Sequence, residues 1–327
     1  MIRFAVIGAG RIGQVHARAV AGHPDAELAL ICDPFEENAK KLAEAYGVAY
    51  TLDVNDVYSS DVDAVIIGSP TQMHVEQILG SVKAGKRVLC EKPVALDLDE
   101  ARRCQTELGA DAERVMMGFN RRFDPTFADI HRRVQEGEIG DLQQFTLFSR
   151  DPAAPPAQYV AGSGGVFRDM TIHDFDMVRH FLGDIVEVSA FGTNTIDAIK
   201  EAGDFDQAVV MLRSADGRVA TVVNSRTCVY GYDQRMEAFG SEGALSADNL
   251  TATQVRKSTA KATEARPEIL DFFLDRYVDA YRIELSAFID AVKADGPVVP
   301  NVIDGVKALE IANAATVSAQ EGRTVTL

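Results

Sequence analysis

Two aspartates and two histidines recur at helical spacing in the segment 164–183, and their types suit acid–base chemistry. A glycine pair precedes the apolar interior of this segment and a glycine ends it, so the pattern predicts one helix. At about 100° per residue from Asp169, His173 falls at about 40°, Asp176 at about −20° and His180 at about 20°. An imidazole beside a carboxylate can accept and hold a proton near neutral pH.

The rest of this predicted helix is apolar, and only Asp174 and Arg179 interrupt it. A solvated helix face is usually wider and carries lysine and glutamate, so the narrow polar stripe indicates a face turned into a cleft. Two alternatives stay open on these residues alone. The histidine could be buried and satisfied by carboxylates, or the Asp-x3-His and His-x2-Asp spacings could place metal ligands on one face.

A glycine-rich turn lies near the start of the chain. A short apolar run over 2–7 leads directly into Gly-Ala-Gly-Arg-Ile-Gly at 8–13, and a helical pattern follows. In this context the glycines allow a tight turn and close approach of a pyrophosphate, while amides at the helix N-terminus face the phosphates. A second strand ends on Asp33, about 20 residues further on, where a carboxylate accepts hydrogen bonds from ribose hydroxyls and repels a 2′-phosphate. The motif therefore predicts NAD rather than NADP.

Strands and helices alternate up to about residue 120, which is typical of a doubly wound parallel sheet. Helical patterns over about 36–46, 73–85 and 97–108 separate apolar runs at 63–68, 87–90 and 114–119. Ligands of such sheets bind beyond the carboxyl ends of the strands, where Asp33, Ser69-Pro70-Thr71 and Glu91-Lys92-Pro93 lie. We predict an α/β NAD-binding Rossmann domain over 1–120.

The lysine at the end of the 87–90 strand has two interpretations. Lys92 precedes a proline at the ligand-binding edge of the predicted sheet, which favours a functional role. The alternative is a surface lysine whose stem covers apolar neighbours. If it is functional, its ammonium takes the electrophilic role and repels a divalent ion, which favours a site with no metal.

From residue 121 the pattern becomes that of an α+β domain with a large, mostly antiparallel sheet. Period-two runs at 186–192, 207–213 and 218–224 follow a strand at 142–150, and strands at 234–239 and 243–247 come next. Helices at about 275–293 and 304–320 and a strand at 324–326 end the pattern. We predict a substrate-binding and oligomerisation domain over 121–327. Its uncovered sheet face favours a homo-oligomer, a dimer or a tetramer.

Composition restricts the classes of partner. The 327 residues suit two domains, and 46% hydrophobic and 25% charged residues are ordinary for a globular protein. A net charge of −16 argues against nucleic-acid or anionic-membrane binding, and no apolar run of about 18 residues is present. The four cysteines have neither metal nor disulfide spacing, and no leader pattern precedes the first strand. We expect a cytoplasmic protein with no nucleic-acid or membrane partner.

Taken together, these motifs resemble the glucose–fructose oxidoreductase/inositol dehydrogenase (Gfo/Idh/MocA) family over essentially the whole chain. Glu91-Lys92-Pro93 and Asp169-x3-His173 are the family-wide motifs, and the stretches 120–124, 149–152, 164–177 and 230–235 resemble its inositol 2-dehydrogenases in particular. The resemblance implies that Lys92, Asp169 and His173 are catalytic, and that the Lys92–Pro93 bond is cis. It implies substrate contacts from Arg150, Asp151, Asp176 and Tyr232. With the glycine motif it implies cofactor contacts from Gly8, Gly10, Arg11, Ile12, Gly13, Asp33, Ser69, Pro70, Thr71, His74, Glu91 and Lys92.

The function that follows is NAD-dependent oxidation of myo-inositol to 2-keto-inositol (scyllo-inosose), with a cyclitol or sugar as the small-molecule partner. In this mechanism His173 is the general base, Asp169 orients the imidazole, and Lys92 stabilises charge on the reacting oxygen. One alternative is a dehydrogenase of another inositol isomer or an aldose. A second, from another class, is a non-catalytic NAD or sugar sensor. A sensor needs none of the three catalytic side chains, so their presence favours an enzyme.

Overall fold

The computed structural model describes residues 1–327, apart from the side chain at position 161, and divides into two compact units. Unit 1 comprises Met1–Phe123 and Asp279–Leu309, and unit 2 comprises Asp124–Val278 and Glu310–Leu327. The predicted division at 120 assigns the whole C-terminal part to the second domain. Unit 1 differs from the predicted first domain by including 279–309.

Unit 1 is built on a parallel sheet. Its first stretch alternates strand and helix: β1 (Ile2–Ile7), α1 (Arg11–Ala21), β2 (Ala26–Cys32), α2 (Glu36–Tyr46), β3 (Ala49–Thr51), α3 (Val54–Ser59), β4 (Ala64–Ile67), α4 (His74–Lys83), β5 (Arg87–Cys90), α5 (Leu98–Leu108) and β6 (Val115–Met117). Short 3₁₀ helices lie at Thr71–Met73, Gly109–Arg114 and Asn120–Phe123. The strand order is β3-β2-β1-β4-β5-β6 and every pair is parallel, so the predicted doubly wound sheet is confirmed.

The hydrophobic sequences of β4 and β5 suit their places in the sheet, where each lies between two neighbouring strands. Both strands are buried along their whole length, as expected of parallel strands covered by helices on both faces. Backbone pairing continues past the strand ends: Gly8 N–H donates to the Cys32 carbonyl at 2.7 Å, and Glu91 N–H to the Ile67 carbonyl at 2.9 Å. The turns after β1 and β5 are therefore held in register at the carboxyl edge.

Unit 2 contains a mixed sheet with helices. Its elements are α6 (Pro125–Gln135), β7 (Leu142–Arg150), α7 (Ala157–Ser163), α8 (Val166–Asp169), α9 (Ile172–Leu182), β8 (Ile185–Thr193), α10 (Asp197–Glu201), β9 (Gln207–Ser214), β10 (Val219–Ser225), β11 (Asp233–Gly240), β12 (Ala244–Ala247), β13 (Lys257–Thr259), β14 (Ala262–Ala265) and α11 (Phe273–Arg276). The chain continues through α12 (Val278–Lys293), α13 (Val302–Glu321) and β15 (Val325–Thr326).

Seven strands form the main sheet of unit 2 in the order β12-β11-β7-β10-β9-β8-β15. All neighbours run antiparallel except β7 and β10, so the predicted mostly antiparallel sheet is confirmed. Burial alternates along its strands, because successive side chains point to opposite faces: Val210 and Leu212 are buried, whereas Val209 and Met211 are exposed. β13 and β14 pair with each other in a separate, exposed two-stranded ribbon.

Helix α12 packs in unit 1 and explains why 279–309 belong there. Leu285, Phe288 and Ile289, spaced three and one apart along its buried face, join the hydrophobic cluster of the parallel sheet. The rings of Phe288 and Phe4 lie 6.1 Å apart between centroids. Nothing in the sequence indicates that a helix so far along the chain packs against the first, parallel sheet. Among the helices of the described residues, none is long and apolar enough to cross a membrane.

The single helix predicted over 164–183 is wrong: α8 ends at Asp169 and α9 begins at Ile172. Thr171 interrupts the helical register, because its backbone N–H donates to the carbonyl of Val166, five residues earlier, at 2.9 Å, and its hydroxyl oxygen lies 3.2 Å from the same carbonyl oxygen. A threonine hydroxyl that bonds to nearby backbone competes with helical pairing in this way. Asp169 and His173 therefore lie on different helices, and the angles of one continuous helix do not apply to them.

Candidate active site

In the glycine turn of unit 1, protein atoms occupy the space beside two of the glycines, and the space beside the third is open. Gly8 has φ of +96°, and a Cβ there would lie 2.7 Å from the backbone of Gly68. A Cβ on Gly13 would lie 1.8 Å from the Gly8 carbonyl oxygen, whereas a Cβ on Gly10 would meet no heavy atom within 4 Å. The turn leads into α1, whose first amides are available to an anion. This geometry fits the pyrophosphate of a dinucleotide.

Asp33 connects the glycine turn to the turn after β2. Its Oδ2 accepts from the Ala9 N–H at 2.8 Å and its Oδ1 from the Phe35 N–H at 2.9 Å. Only 6% of the residue is exposed, so the carboxylate has one orientation. Each oxygen has a further acceptor position, which suits hydrogen bonds from ribose hydroxyls.

His74, predicted as a cofactor contact, lies behind the loops rather than at their surface. Its Nδ1 lies 2.7 Å from the Pro93 carbonyl oxygen and its Nε2 lies 3.0 Å from that of Ser69. The side chain is 1% exposed, and burial lowers the pKa of His74 although the two carbonyls oppose this shift. The imidazole thus links the turn after β4 to the turn after β5. The Ser69 hydroxyl donates to Gln77 Oε1 at 2.6 Å.

The turn that carries Lys92 is held by buried groups. Glu91 Oε1 lies 2.8 Å from Nε2 of His16 on α1, and the Lys92–Pro93 peptide is cis, as the family resemblance implies. Glu284 on α12 is also completely buried, and burial together with the nearby Glu91 charge raises its pKa well above the usual range. Helix α1, which follows the glycine turn, is therefore connected directly to the residue preceding the lysine.

His173 lies in the first turn of α9, and the residues on either side of it are fastened to the sheet of unit 2. The Thr171 hydroxyl donates to Asn224 Oδ1 at 2.7 Å, and Asn224 Nδ2 donates to Asp174 Oδ2 at 2.9 Å. All three side chains are buried. Asp174, which interrupts the apolar face of the predicted helix, therefore helps to fix where the His173 side chain begins.

The other members of the predicted stripe lie in different surroundings. Asp169 Oδ1 accepts from the Tyr159 hydroxyl at 3.0 Å, and Asp169 Oδ2 lies 3.4 Å from the guanidinium of Arg226. Asp176 has no exposed surface. His180 stacks on His131 with ring centroids 3.6 Å apart. Asp169 and His173 are therefore each half-buried, whereas Asp176 is fully buried and His180 packs against a histidine of α6.

Three of the four predicted substrate contacts, Arg150, Asp151 and Tyr232, lie at the end of β7 or next to the start of β11. Arg150 Nη1 donates to the Tyr230 hydroxyl at 2.6 Å and to Asp233 Oδ2 at 2.9 Å, and a quarter of its side chain is exposed. Asp151 N–H donates to the Ser225 carbonyl at 2.9 Å. Tyr232 is buried edge-on against the rings of Phe272 and Tyr277.

Asp233 organises this cluster. Burial raises the pKa of its carboxyl, but hydrogen bonds from Arg235, Asn249 and Tyr230 outweigh burial and lower the pKa from an ordinary 3.8 to about 2. Because the folded pKa is the lower one, the ionised carboxylate stabilises the fold above pH 4, and this contribution is lost as the pH falls towards 2.

Asp233→Asn should therefore lower the free energy of unfolding at neutral pH by about 2 kcal/mol. The difference from the parent protein should shrink when urea denaturation is repeated between pH 4 and 3. Asp248→Asn is the matched control, since Asp248 is 73% exposed and pairs with Arg266 at the surface. A difference that stays constant with pH would contradict the assignment.

Sequence reasoning missed several residues that hold the site, namely His16, Tyr159, Asn224, Arg226 and Asp233. Asp233 lies inside the stretch 230–235 that carries the resemblance, so a signal for it was present. His16, Asn224 and Arg226 have no local signal, because their partners in the site lie 50 or more residues away along the chain, and Tyr159 belongs to no motif that the sequence shows. Among the described residues, no group of three His, Cys, Asp or Glu side chains is placed to hold a metal ion.

Comparisons with known proteins agree with this geometry. Residues 2–119 match the model of an oxidoreductase family with an NAD-binding Rossmann fold, and residues 127–246 match the GFO/IDH/MocA C-terminal domain. The chain is 43% identical to an inositol 2-dehydrogenase of Rhizobium meliloti, over 100% of this chain and 99% of the relative.

Two solved structures cover 100% of this chain and 99% of their own. A myo-inositol dehydrogenase from Corynebacterium glutamicum has a TM-score of 0.98 at 52% identity. A scyllo-inositol dehydrogenase from Lactobacillus casei, with bound NAD(H) and scyllo-inositol, has a TM-score of 0.93 at 30% identity. With its NAD-binding domain and its C-terminal domain both matched, this chain belongs to the Gfo/Idh/MocA family of oxidoreductases.

Proposed function

We propose that this protein oxidises myo-inositol to 2-keto-inositol (scyllo-inosose) with NAD as the hydride acceptor. The observation that carries the proposal is the full-length 43% identity to an inositol 2-dehydrogenase, in a chain that has Lys92, Asp169 and His173 at the positions the family implies. The open position at Gly10 and the fixed carboxylate of Asp33 support NAD binding in unit 1.

His173 is the proposed general base. Oxidation of a secondary alcohol requires removal of the hydroxyl proton, and an imidazole titrates close to the working pH. Asp169 orients this imidazole and stabilises it when it is protonated. Lys92 donates a hydrogen bond to the reacting oxygen and stabilises the negative charge that develops there. Bound NAD supplies the hydride acceptor, and the protein supplies position and electrostatics.

A ring with several hydroxyls needs several polar partners, because each buried hydroxyl left unpaired costs affinity. Arg150, Asp151, Asp176 and Tyr232 are the side chains we propose for this role. Arg150 and Asp151 are partly exposed, whereas Asp176 and Tyr232 are buried in the unit. The first pair is therefore better placed for direct contact. We expect a preference for a cyclitol or sugar over an aliphatic alcohol.

The closest competing function is oxidation of another inositol isomer or of an aldose. The similarity to a scyllo-inositol dehydrogenase favours an isomer over an unrelated sugar. A regulatory sensor of NAD or sugar is the alternative from another class, and the three proposed catalytic side chains argue against it. A sensor would bind these ligands without turnover.

A substrate panel tests the proposal. We expect NADH to form, as followed by its absorbance, fastest with myo-inositol among the inositol isomers, aldoses and simple aliphatic alcohols. NAD should be preferred to NADP by at least about tenfold in kcat/KM, because Asp33 repels a 2′-phosphate. Faster turnover of another isomer would reassign the substrate, and ligand binding without NADH formation would support the sensor.

The exposed sheet face of unit 2 supports a homo-oligomer, which we propose as a dimer or tetramer in the cytoplasm. Phe191 and Val209 lie opposite each other on neighbouring strands, and Phe191 is 63% and Met211 51% exposed. Such an apolar patch is usually covered in a stable protein. Light scattering measures the mass in solution, and the mass of one chain at micromolar concentration would contradict the proposal.

A further inference from the structure

Arg226 is a buried cation that no part of the proposed mechanism uses. It directly follows β10, is 1% exposed, and is among the largest fully buried side chains of the chain. Its backbone N–H donates to the Asp206 carbonyl at 2.8 Å, which fixes the start of the side chain. A guanidinium is stable in such a position only when carboxylates surround it.

Two carboxylates lie next to the guanidinium of Arg226. Nη1 and Nη2 of Arg226 each lie 3.4 Å from Asp169 Oδ2, and Nη2 lies 3.7 Å from Asp204 Oδ2. Asp204 uses its other oxygen to accept from the Val166 N–H at 2.9 Å. Val166 and Asp169 are the first and last residues of α8, so Arg226 and Asp204 together hold both ends of this one-turn helix.

Tyr159 contacts the other carboxylate oxygen of Asp169. Its hydroxyl donates to Oδ1 at 3.0 Å, so the two carboxylate oxygens have different partners, a neutral one and a cationic one. Tyr159 is 53% exposed on α7, which makes a purely structural role for this hydroxyl weak. Held at both oxygens, the carboxylate cannot rotate freely about its χ2 torsion.

We propose that Arg226 and Tyr159 are positioning residues for Asp169, which fix the rotation of its carboxylate. The inference rests on the proposed function, in which Asp169 acts on the imidazole of His173. Small displacements of a group that orients a catalytic base cost rate rather than cofactor affinity, because they misalign the reacting atoms. Removing either partner should lower kcat and leave NAD binding unchanged.

Tyr159→Phe is the mildest test. We expect kcat to fall about three- to tenfold, the effect of one lost hydrogen bond, with the Kd for NAD and the melting temperature unchanged. Tyr50→Phe is the matched control, because it removes a tyrosine–carboxylate contact, to Glu36 Oε1 at 3.2 Å, in unit 1. An unchanged kcat in Tyr159→Phe would overturn the role of Tyr159.

A double variant separates positioning from general damage. If Tyr159 acts through Asp169, adding Tyr159→Phe to Asp169→Ala should cost less than about twofold further, since the hydroxyl then has no side-chain acceptor at this position. Equal losses in both backgrounds would overturn the proposal. Arg226→Lys should retain more activity than Arg226→Gln, because lysine keeps the charge, and equal activities would contradict the role of Arg226. Absence of any NADH formation by the parent protein would instead refute the proposed function.

Discussion

Replacing His173 by alanine is expected to lower kcat/KM for inositol oxidation by at least about 10²-fold, and replacing Lys92 by alanine to lower it by a similar factor. In the proposed mechanism, the first change removes the group that accepts the hydroxyl proton, and the second removes the cation that stabilises the developing oxyanion. Both variants should bind NAD as tightly as the parent protein, as calorimetry would show. The loss would then lie in turnover.

Matched controls sharpen this experiment. His180→Gln alters a histidine of the same helix α9 whose ring stacks on His131, and Lys83→Ala alters an exposed lysine near the end of α4. Both should keep kcat/KM within about twofold, as surface or packing changes away from chemistry do. A loss below about threefold for His173→Ala or Lys92→Ala would remove that residue from the mechanism, because general acid–base terms are much larger.

The second large effect concerns two glycines of the same motif. Replacing one by alanine should weaken NAD binding, and replacing the other should destabilise the fold. Gly10→Ala should leave stability unchanged, since the added methyl meets no atom of the protein and φ is an ordinary −69°. It should nevertheless weaken NAD binding by at least about tenfold, because the space belongs to the pyrophosphate. Gly13→Ala should lower the free energy of unfolding by more than about 3 kcal/mol, because its methyl would overlap the Gly8 carbonyl.

Thermal melts with and without NAD distinguish the two outcomes. We expect Gly10→Ala to melt with the parent protein in buffer and to lose most of the shift that NAD produces. Gly13→Ala should melt at a lower temperature in both conditions. Normal NAD affinity in Gly10→Ala would show that the cofactor phosphate does not lie against this residue.

Local pattern predicted much of the fold correctly. The alternation of short apolar runs with helical segments indicates the parallel sheet of unit 1, and period-two runs indicate the antiparallel strands of unit 2. Each periodicity is set by a few neighbouring residues, so it can be recognised in the sequence without knowledge of the tertiary contacts. The helix over 164–183 failed because the interruption comes from one threonine hydroxyl and its distant partner Asn224.

The candidate site divides in the same way. Gly8–Gly13 with Asp33 is recognisable from its residue types and spacing, and Lys92, Asp169 and His173 are recognisable because they stand in motifs that the family shares. The side chains that hold them are not recognisable: Arg226 is 57 residues from Asp169, and Asn224 is 50 from Asp174. A lone arginine or asparagine at the end of a strand has no pattern that indicates its partner.

The amino-acid sequence by itself determined the two kinds of sheet and the dinucleotide turn, since each depends on residues close together in the chain. Tertiary structure alone decided that α12 packs in unit 1, that Asp169 and His173 lie on separate helices, and that Asp169 is held by Tyr159 and Arg226. The physical reason is that strand pairing and helix packing decide which distant side chains meet. Those contacts exist only once the chain has folded.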